Sequence, residues 1–484
     1  MPARLISRLP GSGPFCTRRH PVNQAREDLH PLIAWLFGLR GPDLKWELDT
    51  ARAFAALLGH PERRFPAVHV AGTNGKGSVA AMVEAIARRA GLRTGLFTSP
   101  HLVCPTERIR IDGAPLALDE FLARIGSLRR RVAEGLHAGR LPRHPSFFEM
   151  MTGAALDAFA EHGVDLAVVE VGLGGRLDAT NVVCPAVSAI TTIGLDHRKT
   201  LGGTLQAIAA EKAGIVRPGV PVVLGAVPAP AVDVIERIAR RRGAPVHSTP
   251  HEVAVETHAD GRLALRTPEA AYGPLRPGLA GDHQVGNAAV AVRVAELLRA
   301  RCGIVLTPET IEQGLAGVRW PGRLERLDGT RPEVLLDAAH NVDGIRSLAR
   351  YLGTLPRPAA PGRRALVFGL TEGRDPLEML EPLARLVGAV VAAPPATSRA
   401  IAPARIVAAA RRLGLEAAEA SGARAALESA RRIAGPTGEI VVAGSLYLVG
   451  DARRELLGLS GAGHPRRETV PPLADDRPRP ARNT

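Results

Sequence analysis

The sequence predicts an α/β protein: a P-loop-containing, doubly wound, mainly parallel sheet domain, followed by a smaller Rossmann-like α/β domain. Three observations carry that prediction. Short apolar runs (VHVAG, DLAVVEVG, VPVVLG) alternate with amphipathic stretches of helical length, as in βαβ units. Residues 68–78, VHVAGTNGKGS, set a glycine-rich turn between one such run and a helix. A second series, EVLLDAAHN, ALVFGL, AVVAAP and EIVVAGS, resumes the alternation after Trp320-Pro321-Gly322-Arg323.

Taken in order, residues 1–28 read as a disordered extension, since the first 26 hold five arginines and no acidic residue. Residues 29–59 predict two helices, the second closing at Gly59. The helix after the glycine turn ends at Gly91, and LRTGLF and ERIRIDG predict strands. Residues 119–136 and FFEMMTGAALDAFAEHG predict helices. DLAVVEVGLGG predicts a buried strand, and AVSAITTIGLDH another that runs to Asp196-His197. LQAIAAEKAGIV is helical and VPVVLG a strand. Short polar–apolar runs over residues 246–281 predict a small antiparallel part. Helices at Asn287–Arg299 and Pro308–Gly317 complete a first domain of residues 29–318. A hinge at Trp320–Arg323 leads into a second domain, residues 322–459, and the proline-rich residues 460–484 read as a disordered tail.

At 484 residues the chain has room for two or three domains with sizeable cores. Hydrophobic content is 45%, yet no apolar run approaches the ~18 residues of a membrane span. Cys16, Cys104, Cys184 and Cys302 lie far apart without metal-binding spacing, as in a reduced cytoplasmic protein. The formal charge is +14, but the arginines are spread along the chain and no nucleic-acid-binding motif accompanies them, which argues against such a partner. Only four of the 62 basic residues are lysines: Lys45, Lys76, Lys199 and Lys212. Where arginine supplies almost every positive charge, a lysine suggests a need for a primary amine.

The glycine turn points backbone N–H groups and a helix N-terminus at a phosphate. Lys76 adds a point charge, and Ser78 a hydroxyl near Mg²⁺. The spelling departs from the common P-loop: Val70 stands where its first glycine belongs, and Gly77 separates the lysine from the hydroxyl residue. An ordinary glycine turn also fits the stretch. Ligands of a doubly wound sheet gather at the C-terminal strand ends, where Gly72–Ser78, Ser99, Glu170 and His197 fall. Glu170 suits a metal carboxylate, and also a salt-bridged strand-end acid. His197 suits a metal ligand, a phosphate contact or a structural histidine. Lys212, beside Glu211, reads as a salt-bridged surface lysine.

In order and spacing, GTNGKGS, SPHL, ERIRIDG, EVGLGGRLDATN, IGLDH, LGGTLQAIAAEKAGI, GDHQVGNAAVA, WPGRLE, LLDAAHN and GSLYLVGDAR resemble the successive signatures of one family. It is the folylpolyglutamate synthase/dihydrofolate synthase family of the Mur ligase superfamily, and the resemblance runs from about residue 29 to 459. It implies that Asn74, Gly75, Lys76, Gly77 and Ser78 cradle the phosphates of ATP. Asn287, Arg323, Asp337 and His340 would be further nucleotide contacts, with Asn341 beside them. Ser99 and Glu170 would hold one Mg²⁺ and His197 a second, and the family pattern leaves room for a monovalent cation. Lys212, in EKAGI, is similar to the lysine that the family carbamylates with CO₂. The catalytic set implied is Lys76, Glu170, His197 and Lys212. The pterin-bearing substrate would meet Leu44, Lys45, Trp46, Ser146, Phe147, Phe148, Glu149, Leu177, Asp178 and Ala179. The chain departs from the family at Gly373-Arg374-Asp375, where aspartate-lysine-aspartate is usual, and at Lys45 and Trp46, where smaller or apolar residues are common.

The activity implied is ATP-dependent amide ligation. The carboxylate of dihydropteroate, or of the terminal glutamate of a folate, becomes an acyl phosphate, and the amine of L-glutamate displaces phosphate. A bifunctional enzyme and either single-activity version fit these motifs. A Mur ligase for a cell-wall precursor would need a UDP-sugar domain before the glycine turn, where the expected layout leaves no room. The rival from another class is a nucleotide-binding relative without ligase activity. The expected protein is a cytoplasmic monomer acting on small molecules, with no nucleic-acid or membrane partner.

Overall fold

The apolar runs become strands of two sheets. The structure, a computed structural model, describes residues 30–39, 47–358 and 362–459. The expected disordered ends, and Leu44, Lys45 and Trp46, lie outside the described residues. Among the described residues the first sheet has eight strands: β1 (Ala67–Ala71), β2 (Thr94–Phe97), β3 (Ile109–Ile111), β4 (Ala114–Pro115), β5 (Leu166–Glu170), β6 (Pro185–Ile190), β7 (Val222–Leu224) and β8 (Val246–Ser248). Their order is β4-β3-β2-β5-β1-β6-β7-β8. All neighbours pair in parallel except β2 with β3 and β3 with β4. β1 sits mid-sheet and is buried at every residue, which is why its sequence lacks polar alternation.

Helices cover both faces. On one, α1 (Pro31–Gly38), α2 (Asp49–Leu57), α4 (Leu118–His137) and α5 (Phe147–Glu161) pack around Phe54, Phe121, Met150 and Phe159. On the other, α3 (Lys76–Arg89), α8 (Asp282–Cys302) and α9 (Pro308–Gly317) share a core with Met82, Ile86, Leu298 and Leu315. Near β7, α6 (Leu205–Lys212) and α7 (Ala229–Arg241) enclose Ile208 and Ile235. No helix among the described residues is long and apolar enough to cross a membrane.

The antiparallel part is narrower than expected. β9 (Ala254–Thr257), β10 (Leu263–Arg266) and β11 (Ala271–Leu275) form it, whereas Val246–Ser248 joins the main sheet as β8. The second sheet comprises β12 (Glu325–Leu327), β13 (Glu333–Leu336), β14 (Arg364–Phe368), β15 (Ala389–Ala392), β16 (Glu416–Glu419) and β17 (Glu439–Ala443), in the order β12-β13-β17-β14-β15-β16. Among the described residues only β12 runs antiparallel there. The strand expected to reach His197 stops at Ile190, because Thr191 and Thr192 leave the sheet to bond the glycine turn. The helix expected at Asn287–Arg299 starts earlier, at Asp282, and runs to Cys302.

Close approach fixes one helix pair. A Cβ on Gly314 of α9 would lie 2.5 Å from Cα of Ile86 and 2.7 Å from its nitrogen, backbone atoms of α3 that cannot swing aside. Gly314→Ala should therefore destabilise the first domain by about 2 kcal/mol despite alanine's better helix propensity. Urea unfolding monitored by circular dichroism checks this, and an unchanged midpoint would contradict it.

Candidate active site

The C-terminal ends of β1, β5 and β6 open into a cleft of about 640 Å³, closed from the other side by the second domain. Its floor is the turn between β1 and α3. Thr73 donates its N–H to the Thr192 carbonyl at 2.8 Å, and Asn74 its N–H to Thr192 Oγ1 at 3.0 Å. The Thr191 and Thr192 hydroxyls donate to the Asn74 carbonyl at 2.6 and 3.1 Å. A Cβ on Gly75 would lie 2.5 Å from Asn287 Oδ1, and one on Gly77 3.1 Å from Trp320 Nε1 and 3.4 Å from Glu170 Oε2. Gly75 also has φ of 85°, which disfavours any residue with a side chain. The inserted Gly77 lies close under the Trp320 indole and the Glu170 carboxylate.

The charged groups converge here. Lys76, the first residue of α3, bends its Nζ to the Thr73 carbonyl at 3.3 Å. Glu170, at the end of β5, is 4% exposed, and its Oε2 accepts the Ser99 N–H at 3.1 Å. Burial raises its pKa, while Lys76, the Ser99 N–H and Arg323 act the other way. Ser78 is buried beneath them, its hydroxyl accepting from Gln284 Nε2 at 3.3 Å, and Gln284 Oε1 in turn accepts from Asn287 Nδ2 at 2.8 Å.

Lys212 is not the surface ion pair its sequence neighbour suggested. Glu211 pairs with Arg176 instead, and Lys212, 4% exposed, donates from Nζ to the Gly72 carbonyl at 2.8 Å. Burial, helped by the nearby Lys76 cation, pushes its pKa down to about 7. His197 lies seven residues beyond the end of β6, with φ of 50°. Desolvation, with Arg374, Lys76 and Lys212 nearby, lowers its pKa and favours the neutral imidazole.

From the second domain, Arg323, Asp337, His340 and Asn341 face the cleft. The Asp337 carboxylate is occupied by the backbone, accepting from Leu324 N–H at 2.9 Å and Ala339 N–H at 3.0 Å. His340 shares a hydrogen bond between Nδ1 and the Ala338 carbonyl at 2.9 Å, and burial lowers its pKa to about 4. Asn341 and Asn74 pair their side-chain amides across the cleft, at 2.9 and 3.3 Å.

The expected pterin contacts among the described residues, Ser146 to Glu149 and Leu177 to Ala179, lie away from this lining. Ser146 and Glu149 cap α5 in a reciprocal box, and Glu149 takes a bidentate pair from Arg143. Phe147 stacks on Phe37, and the Phe148 ring rests on Gly172, whose backbone does line the cleft. Leu177 and Ala179 pack with Leu48 and Ala51. Asp178 is buried, accepting from the N–H groups of Leu173 (2.8 Å) and Thr180 (3.0 Å), and so shapes the glycine-rich loop after β5. Sequence reasoning missed Gln284 and Asp196 as members of the lining, and Arg374, which bonds Asp196 from behind it at 2.8 Å. Asp196 adjoined a chosen histidine, and Arg374 stood out as a departure from its motif.

Comparison with known proteins places these features in a family. Residues 70–295 match the Mur ligase middle domain, and residues 322–455 match the dihydrofolate synthetase C-terminal domain. The dihydrofolate synthase/folylpolyglutamate synthase of Bacillus subtilis is 37% identical over 363 residues, covering 74% of this chain and 83% of that protein. The crystal structure of Mycobacterium tuberculosis folylpolyglutamate synthase complexed with ADP and AMPPCP superposes with a TM-score of 0.80 at 34% identity, covering 90% of this chain and 100% of the other. An FPGS–AMPPCP–folate complex gives 0.76 at 30% identity, covering 88% and 99%.

Gly75→Ala meets both a left-handed backbone and the Asn287 amide, so AMPPCP binding should weaken by about tenfold or more while the fold persists. Calorimetric titration measures this, and wild-type affinity would show that the turn has room to adjust.

Proposed function

Since this chain belongs to the folylpolyglutamate synthase/dihydrofolate synthase family and is an ATP-dependent ligase, we propose that it adds L-glutamate both to dihydropteroate and to folates already carrying glutamate. The observation that carries this reading is one cleft holding Lys76, Ser78, Glu170 and Lys212 from the first domain opposite Arg323 and His340 from the second. A carboxylate acylates an amine poorly, so the substrate carboxylate first takes the γ-phosphoryl group of ATP. Lys76, the N–H groups of the first turn of α3 and Arg323 stabilise charge on the transferring group. The amine of L-glutamate then attacks the acyl carbon and the tetrahedral intermediate expels phosphate. A cleft bounded by two domains limits the water that would hydrolyse the acyl phosphate.

The donors present fit Mg²⁺, whose preferred ligands are hard oxygens with waters and substrate phosphates completing the shell. Ser99 and the buried Glu170 carboxylate would hold one ion, and His197 would serve a second. Bound there, Mg²⁺ would neutralise charge on the phosphate oxygens. Lys212 supports a carbamate reading: its amine is buried at the site, and a pKa of about 7 leaves much of it neutral and able to add CO₂. Arginine could not do this. The two sides of the cleft come from one chain, which supports a monomeric enzyme, and the reduced-thiol reading of its cysteines supports the cytoplasm.

ADP release should require L-glutamate together with dihydropteroate or tetrahydrofolate, and mass spectrometry should find the glutamylated product of each acid. Product from only one acid would leave a single activity, and no glutamate-dependent ADP with either would sink the ligase reading. Lys212→Arg should keep nucleotide binding but lose turnover by about a hundredfold; near-normal turnover would refute the carbamate. Because protonating the amine removes it from the carbamate equilibrium, kcat should fall as pH drops through 7, and a flat profile from pH 8 to 6 would contradict this.

A further inference from the structure

Asp196 joins the second domain to the backbone that carries His197. Among the described residues, His197 is one of four non-glycine positions with positive φ, a conformation that persists only where the surroundings impose it. Asp196 supplies part of that constraint, its Oδ1 accepting the His197 backbone N–H at 2.8 Å while the residue is 7% exposed. Two further ties on this carboxylate come from the other domain. Arg374 Nη2 donates to Oδ1 at 2.8 Å, and Asn341 Nδ2 donates to Oδ2 at 3.2 Å. Asn341 is also the partner of Asn74 in the phosphate turn, so one amide links both halves of the first-domain site. A separate crossing, Arg350 to Asp282 at 2.6 Å, joins exposed side chains and should contribute less.

We propose that Asp196 is a positioning residue: clamped by Arg374 and Asn341, it lets docking of the second domain set the backbone conformation of His197. With the domains apart, Asp196 becomes a solvated carboxylate and His197 loses part of what holds it. Arg374 acts through Asp196 and needs no contact with substrate. The Arg374–Asp196 contact is a salt bridge at 2.8 Å between half-buried and buried side chains, so the clamp pairs opposite charges across the two domains. The link to turnover rests on the reading of His197 given above; the docking itself does not.

The test compares Arg374→Gln, Asp196→Asn and the double variant in the full chain, with circular dichroism confirming folding. Each single variant should lower kcat about tenfold, with KM for ATP and L-glutamate within about twofold of wild type. The double variant should be no slower than the slower single, as for residues acting as one unit. Arg374→Lys should restore part of the loss. Small-angle scattering of the nucleotide-free protein should give a larger radius of gyration for Arg374→Gln than for wild type. Additive losses, unchanged kcat, or an effect confined to KM for L-glutamate would overturn the proposal, the last by making Arg374 a substrate contact. An unchanged radius of gyration would overturn the docking, and this arm stands even if the wild type ligates nothing.

Discussion

The turn after β1 has almost no room for side chains, and the rest of the site is built on that. A Cβ on Gly72 would enter the space of the Thr191 hydroxyl, one on Gly75 that of the Asn287 amide, and one on Gly77 would press on the Trp320 indole. The three neighbours come from the end of β6, from α8 and from the segment leading into the second domain. A side chain at Gly72 or Gly75 would have to displace Thr191 or Asn287, while one at Gly77 would crowd the indole more mildly. The N–H groups of the first turn of α3, which a helix cannot satisfy itself, remain for an anion.

Around that turn the chain buries charge, which costs stability unless the charge is compensated. Glu170, Lys212 and Asp337 are each at most 6% exposed. Burial drives both carboxylates toward the neutral form and the lysine toward the free amine. Asp337 and Asp178 are balanced by backbone N–H donors and act as loop anchors. Glu170 and Lys212 have fewer protein partners, which leaves their chemistry for a ligand. This contrast separates groups that shape the site from groups that can act in it.

Much of this was legible in the sequence, and the gaps have physical reasons. The parallel strands read clearly because strands buried on both faces are written as unbroken apolar runs. β12 and β16 did not, since ERL and EAAE are edge strands with exposed polar residues. The glycine turn and Glu170 stand at strand ends as expected, whereas His197 lies seven residues past the end of β6, because the chain leaves the sheet there to bond the glycine turn. For Lys212 the neighbouring Glu211 suggested a surface pair that Arg176 takes instead, and only the family resemblance pointed to the site. Asp178, Ser146 and Glu149 matched a substrate motif, and in the structure they also hold a loop and a helix cap, local roles that spacing does not reveal. Gln284, Asp196 and Arg374 depend on contacts between residues far apart in the chain.

The central claim, that the cleft activates a carboxylate by phosphorylating it, can be tested by following an oxygen atom. Dihydropteroate with its carboxylate enriched in heavy oxygen should pass one labelled atom to the inorganic phosphate released with each ligation. That is the atom through which the acyl phosphate was joined. Unlabelled phosphate alongside glutamylated product would show that the γ-phosphoryl group never rested on the substrate.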